Sequence, residues 1–233
     1  MIIDGHAHSC GDFYNVDKLI SILDELNIDK VVLCPGPKIF AKNLSLPNIS
    51  NIIKRKDLMF FMNRIIRFVT SLSHTSNNII TRNELVYLFH QKHPDRVIQF
   101  YWIDLNMVSA IEILEKKYNE WKFRGIKLHQ CIEIFRNDSP SLQNLVNFAR
   151  EKSLPIFIHL SSKIEVKRFI KLALKNPNTT FIVAHLIGLE IFERLSQEIK
   201  NVYFEISPTP LISEHRIYNA IRRFGEDHII FGS

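Results

Sequence analysis

Eight short apolar runs recur along the 233-residue chain, and the segments between them space their apolar residues as helices do. The runs are Ile2 to Asp4, Val31 to Cys34, Val97 to Ile103, Gly125 to His129, Pro155 to His159, Thr180 to His185, Val202 to Glu205 and His228 to Phe231. Nearly all are continuous rather than alternating, as parallel strands covered on both faces require. Helical spacing is read over Val16 to Leu26 (with Asn15 as its cap), Thr81 to His93, Met107 to Trp121, Leu142 to Lys152, Glu165 to Leu174, Leu189 to Lys200 and Ser213 to Phe224. Repeated strand–helix units in one domain predict an α/β fold of the TIM (β/α)8 barrel type. An open doubly wound sheet is disfavoured, because no glycine-rich phosphate turn follows the first strand.

Residues 35 to 80 break this rhythm. The segment is too long for an ordinary connection and carries its own helix, Leu58 to Leu72, with Arg55, Arg64 and Arg67 on or beside it. Ser73 to Asn78 reads as a loop. The insertion is expected to act as a lid or as a contact in a homo-oligomer. The whole chain, 1–233, reads as a single domain. The last run is expected to lack the eighth helix that follows it in a complete barrel.

Thirty basic against 24 acidic residues give a net charge of +6, which favours a small anionic substrate. The basic residues are scattered, so nucleic acid is not expected as a partner. No apolar stretch approaches the roughly 20 residues that span a bilayer. Three dispersed cysteines, Cys10, Cys34 and Cys131, fit reduced thiols better than a disulfide framework. They are read as small apolar residues rather than nucleophiles. A cytoplasmic protein is expected.

In a barrel of this kind the chemistry gathers at the C-terminal ends of the strands. The first run leads into His6 and His8, spaced i, i+2, which point to the same side of an extended chain. The fourth ends in Lys127 and His129, the fifth in His159, the sixth in His185 and the seventh in Glu205. Five of the ten histidines therefore meet at one face. Buried imidazoles need partners, and a metal ion satisfies several at once. His74, His90, His93, His215 and His228 lie elsewhere and are read as structural or solvent-facing.

Five pieces now carry a resemblance: Asp4-Gly5-His6-Ala7-His8, Gly125 to His129, Pro155 to His159, Val183-Ala184-His185-Leu186-Ile187-Gly188, and Ile229 to Ser233. In this order the chain resembles the amidohydrolase superfamily, and within it the amidohydrolase-2 group of metal-dependent hydrolases and decarboxylases. The resemblance implies a divalent metal, commonly zinc, held by His6, His8 and His159. It implies that His185 is the acid/base group beside the metal. Lys127 falls where some branches of the superfamily carry a carbamylated lysine that bridges two metals. The simpler reading is that Lys127, with His129, binds the substrate. The family's closing motif runs on from Gly-Ser into an aspartate, and this sequence stops at Ser233, so a continuation beginning with Asp or cover from another chain is expected. Rival readings are a TatD-like nuclease, whose strand-four acidic ligand is replaced here by Gly125-Ile126-Lys127, a phosphatase class that also opens with His-x-His, and a degenerate barrel without catalysis.

Overall fold

In the computed structural model, which describes residues 1–36, 50, 57–72, 79–195, 198–208 and 210–233, eight parallel strands pair in chain order. They are β1 (Ile3–Ser9), β2 (Lys30–Pro35), β3 (Val97–Trp102), β4 (Gly125–His129), β5 (Ile156–His159), β6 (Phe181–Val183), β7 (Val202–Glu205) and β8 (Ile229–Ile230). The helices are α1 (Val16–Glu25), α2 (Met59–Leu72), α3 (Ile79–Lys92), α4 (Ala110–Trp121), α5 (Pro140–Glu151), α6 (Lys163–Lys175), α7 (Leu189–Phe192) and α8 (Glu214–Phe224). Parallel neighbours need crossovers, and helices supply them between most successive strands. The expected α/β barrel is the observed one.

Closure comes from the backbone after β8. Gly5 N–H donates to Phe231 O at 2.8 Å and Ser233 N–H donates to His6 O at 3.0 Å, which joins the last strand's continuation to β1. Between Asp4 and Ala7 the pairing of β1 with β2 shifts register. This irregularity lies at His6, and such shifts re-aim a side chain at a barrel rim.

Period-two alternation sorts the strand residues into two layers. Val32, Cys34, Phe100, Phe157 and Ile182 form an inner cluster with Ile98, Tyr203 and Ile230. Their sequence neighbours Ile126, Leu128, Ile156, Ile158, Val183 and Phe204 pack outward against the helices. Around β1 to β3 the same role falls to Ala7, Val31, Leu33 and Val97 under α1 and α3. The inner layer turns polar toward the strand ends, so the interior has an apolar floor and a charged, imidazole-rich mouth.

Gly5 sits at the seam. A Cβ there would come 2.2 Å from Ile230 Cγ2 and 2.9 Å from Phe231 O. Gly5→Ala is therefore expected to lower stability by about 1–3 kcal/mol through overpacking. Equilibrium denaturation checks this, and an unchanged midpoint would show that the seam opens freely.

Local signals place several ends correctly. Asn15 Oδ1 accepts Lys18 N–H at 3.0 Å and caps α1. Ser139, Ser162 and Ser213 cap α5, α6 and α8 in the same way. The helix expected over Leu189 to Lys200 is only Leu189–Phe192. Phe192 and Ile199 both still reach the core, so burial is satisfied without a continuous helix. Arg55, His74 and the loop Ser73 to Asn78 lie outside the described residues, while Arg64 and Arg67 are exposed on α2. Among the described residues no helix is long and apolar enough to cross a membrane.

Candidate metal centre

Six aromatic side chains form a closed circuit at the barrel mouth. Ring centroids are 4.8 Å apart for His6–His8, 5.5 Å for His6–His185, 5.0 Å for His185–His159 and 4.0 Å for His159–His129. Trp102 completes it, 5.7 Å from His129 and 6.1 Å from His8. All five histidines expected at this face are in the circuit. Lys127, fully buried, reaches into it with Nζ 3.1 Å from His6 Nε2 and 4.0 Å from the centre of the Phe157 ring.

The outer hydrogen bonds decide which ring nitrogen is bare. His8 Nδ1 lies 2.8 Å from Pro35 O, which only accepts, so Nδ1 holds the proton and Nε2 is bare. His6 receives Lys127 Nζ–H at Nε2, while its Nδ1 stands 3.4 Å from Glu205 Oε2, off the alignment of a hydrogen bond. His6 Nε2 is therefore unprotonated as well, its lone pair taken here by the Lys127 hydrogen. The two unprotonated nitrogens stand 3.1 Å apart with no proton between them. Two nitrogens each 2.0–2.1 Å from a tetrahedral ion lie about 3.3 Å apart, so this pair matches one edge of such a site.

His159 Nε2 stands 2.7 Å from Asn63 Oδ1. Asn63 donates its amide hydrogens to Leu160 O at 2.8 Å and Ser161 O at 3.2 Å, so the atom facing His159 is the oxygen. His159 Nε2 must then donate, and its buried Nδ1 is left bare without a partner. His185 Nδ1 lies 2.5 Å from Ser207 O and 3.1 Å from Glu205 Oε2, both acceptors, which leaves Nε2 bare. His129 differs. Cys131 N–H donates to its Nδ1 at 3.2 Å, so the proton sits on Nε2 and this ring can donate.

Two groups of donors lie within 4.8 Å of one another: His6, His185 and Glu205, and His129, Cys131 and His159. The first is tight because Glu205 is a shared acceptor, taking His185 N–H at Oε2 (3.1 Å) and Ser207 N–H at Oε1. It is a hydrogen-bonded support rather than a set of free ligands. In the second, the His129 and His159 planes are stacked 11° from parallel. In-plane lone pairs on stacked rings run side by side and do not converge on one ion. The expected set of His6, His8 and His159 is not among these groups, since His159 leans on His129 and Asn63.

Burial drives the electrostatics. It pushes His6 down to about 3, helped by the Lys127 charge, and holds His8, His129 and His159 well below the ordinary histidine value. Lys127 falls to about 8 for the same reason. Burial alone would raise Glu205, but His185 and His6 outweigh it and hold its carboxyl well below the usual range. Glu133, whose Oε2 accepts Trp102 Nε1–H at 3.0 Å, is raised to about 8 by burial.

His185 has φ +59°, the left-handed region, on a short 3-10 turn over Ala184–Leu186. That conformation is costly for a non-glycine residue and persists where neighbours hold it; here Glu205 accepts the His185 N–H. A Cβ at Gly232 would approach Glu205 Oε1 to 2.6 Å and His6 Cβ to 3.0 Å, so only glycine lets the chain pass there. Reading strand ends already brought out Glu205, though not as a site residue. Asn63, Ser207 and Trp102 had no comparable signal. His90 and His228, read as structural, donate to Val97 O and Val202 O away from the mouth.

Among curated proteins, no sequence matches this chain. Solved structures of the same fold include 2,6-dihydroxybenzoate decarboxylase from Rhizobium, with TM-score 0.64 and 13% identity over 100% of this chain and 87% of that one. They include 4-oxalomesaconate hydratase from Rhodopseudomonas palustris, with TM-score 0.62 and 16% identity over 100% and 81%. A third is 5-carboxyvanillate decarboxylase from Sphingomonas paucimobilis, with TM-score 0.63 and 12% identity over 99% and 87%. At these identities the likeness speaks for the fold. The sequence itself goes further, because the amidohydrolase profile of the amidohydrolase-2 type matches residues 60–233, and the chain belongs to that family.

Proposed function

We propose that this protein is a metal-dependent hydrolase acting on a small anionic substrate, with one divalent ion, zinc by preference, held by His6 Nε2, His8 Nε2 and His159 Nδ1. One observation carries the reading: independent partners (Lys127 for His6, Pro35 O for His8, Asn63 for His159) set each of these buried or half-buried imidazoles with an unprotonated nitrogen at the same mouth, the one on His6 freed once Lys127 turns to the substrate. Outer hydrogen bonds that fix tautomer and ring orientation are a regular feature of histidine metal sites. Three neutral imidazoles with an open fourth position suit catalytic zinc.

Bound there, a divalent ion supplies Lewis acidity and brings the pKa of water toward ~7. The chain's own groups do the rest. His185, with Nδ1–H pinned by Ser207 O and Glu205, offers Nε2 as the base and later returns the proton as an acid. His129 Nε2–H and the Lys127 ammonium are the donors for a substrate carboxylate. The Trp102 ring, stacked on His129 within 8° of parallel, forms a flat wall of the site.

That flat wall favours a second reading on the same residues, the decarboxylation of a planar carboxylic acid. The assay separates the two. Purified protein is analysed for bound metal, then tested for ester, amide and lactone hydrolysis by proton release and for decarboxylation by CO2 release. About one tightly bound divalent ion per chain is expected, with activity lost on chelation. Absence of metal binding would leave the non-catalytic barrel as the correct reading, and a metal-bound protein releasing only CO2 would replace hydrolase by decarboxylase.

A further inference from the structure

The insertion helix α2 packs on the barrel mouth and sends Asn63, 1% exposed, into the circuit of imidazoles. Its geometry leaves one arrangement. Both amide hydrogens are spent on the carbonyls of Leu160 and Ser161, directly after His159, so the amide cannot flip. The remaining Oδ1 takes the His159 Nε2 proton at 2.7 Å. Asn63 thereby holds both the ring and the backbone that follows it.

The start of α2 is tied down separately. Asp57 Oδ1 accepts Met59 N–H at 3.0 Å, and Asp57 Oδ2 accepts Gly188 N–H at 2.7 Å. Arg216, 2% exposed, lies 3.2 Å from Asp57 Oδ2, donates to Leu186 O at 2.9 Å and pairs with Glu190. Residues 57 to 63 are thus fastened to the segment after His185 at one end and to His159 at the other. Without Asn63, the neutral His159 ring is free to carry its proton on either nitrogen, and its one unpartnered buried atom, Nδ1, loses the reason to stay bare.

We infer that Asn63 is a positioning residue of the metal centre: it forces the Nε2–H tautomer of His159 so that Nδ1 is the nitrogen presented to the ion. This rests on the metal reading above and adds to it that α2 is a fixed wall of the site, because it supplies the partner that selects a ligand atom.

The test uses the full-length protein with 15N-labelled histidine rings. Two-bond 1H–15N correlation on the metal-free protein reads the His159 tautomer, with His159→Gln assigning its signals. The expected wild-type result is a proton on Nε2 and a bare Nδ1. Asn63→Leu, close in shape but without polar atoms, is expected to give mixed tautomers and to weaken zinc binding, titrated as zinc alone, by 10–100-fold. Asn63→Asp keeps the acceptor but gives up both donations to Leu160 O and Ser161 O, and is expected to keep the His159 proton on Nε2. A wild-type ring protonated on Nδ1, or zinc binding by a folded Asn63→Leu equal to wild type, overturns the inference while leaving the metal reading intact. Failure of wild type to bind zinc overturns the metal reading, and the tautomer measurement still decides the role of Asn63. If Asn63→Leu does not fold, the His159 tautomer in wild type and in Asn63→Asp decides it, a proton on Nδ1 in either counting against.

Discussion

His185→Asn is expected to keep its metal and to lose activity by roughly 10²–10⁴-fold, the usual range for removal of a positioned general base. The side chain's far nitrogen is the only part of it directed away from the supports: Nδ1 is held by Ser207 O and Glu205 Oε2, and the main-chain N–H is held by Glu205. Asparagine can keep a donor near Ser207 O but has nothing to offer in place of Nε2. Metal content and kcat/KM of the same preparation separate the outcomes. Loss of metal together with activity would make His185 a ligand and revive the bridged two-metal arrangement through Lys127. Retained activity would remove His185 from the chemistry. A parallel variant, Glu205→Gln, should leave the base in place but weaken its orientation. It is therefore expected to keep its metal too, and to lower turnover in the same direction by less.

Stability of the chelator-treated protein is expected to fall steeply as pH drops from about 6.5 to 5. His6, His8, His129 and His159 all have pKa values depressed by burial, with His6 near 3. Unfolded histidines titrate near 6.5. Below that pH the unfolded chain takes up protons that the folded chain refuses, so stability rises with pH through this window and is lost as pH falls. Glu133 works the other way. Its folded value near 8 means that the native state holds a proton which the unfolded state releases above its ordinary 4.5. It offsets part of the histidine contribution, as do Asp4 and Asp57, whose carboxyls burial also raises, and the four histidines set the sign of the slope. Lys127, folded near 8 against 10.5, adds stability between those values, so the optimum of the metal-free chain lies on the alkaline side. Urea denaturation at pH 7, 6 and 5 reads this directly. A flat profile would mean that the mouth hydrates and lets the imidazoles protonate in place. Added zinc is expected to shift the acid limb downward, because binding to the native state alone stabilises it by mass action.

The insertion shows where local reasoning stops. Helical spacing predicts α2 well, at Met59–Leu72 against an expected Leu58 to Leu72. Its arginines, the groups that a charge argument singles out, are exposed at Arg64 and Arg67. The residue that meets the site is the neutral Asn63, 96 positions before its partner His159. No pattern in composition or spacing marks an asparagine as a tautomer lock, since its role depends on two carbonyls and one imidazole that only the folded chain brings together.

The sequence by itself determined the barrel and the face on which its chemistry gathers. Continuous apolar runs and helical spacing are local properties, and they carry over into eight parallel strands paired in order. The i, i+2 spacing of His6 and His8 likewise survives into a pair of nitrogens 3.1 Å apart, because both follow from the geometry of one extended segment. Tertiary structure alone decided which nitrogen of each ring is bare, why Glu205 stays charged at 0% exposure, and how β1 closes on the chain after β8. Each of those depends on a hydrogen bond or a burial shared between segments far apart in the chain. Such contacts are set by packing, where the spacing of residues along one segment carries no information.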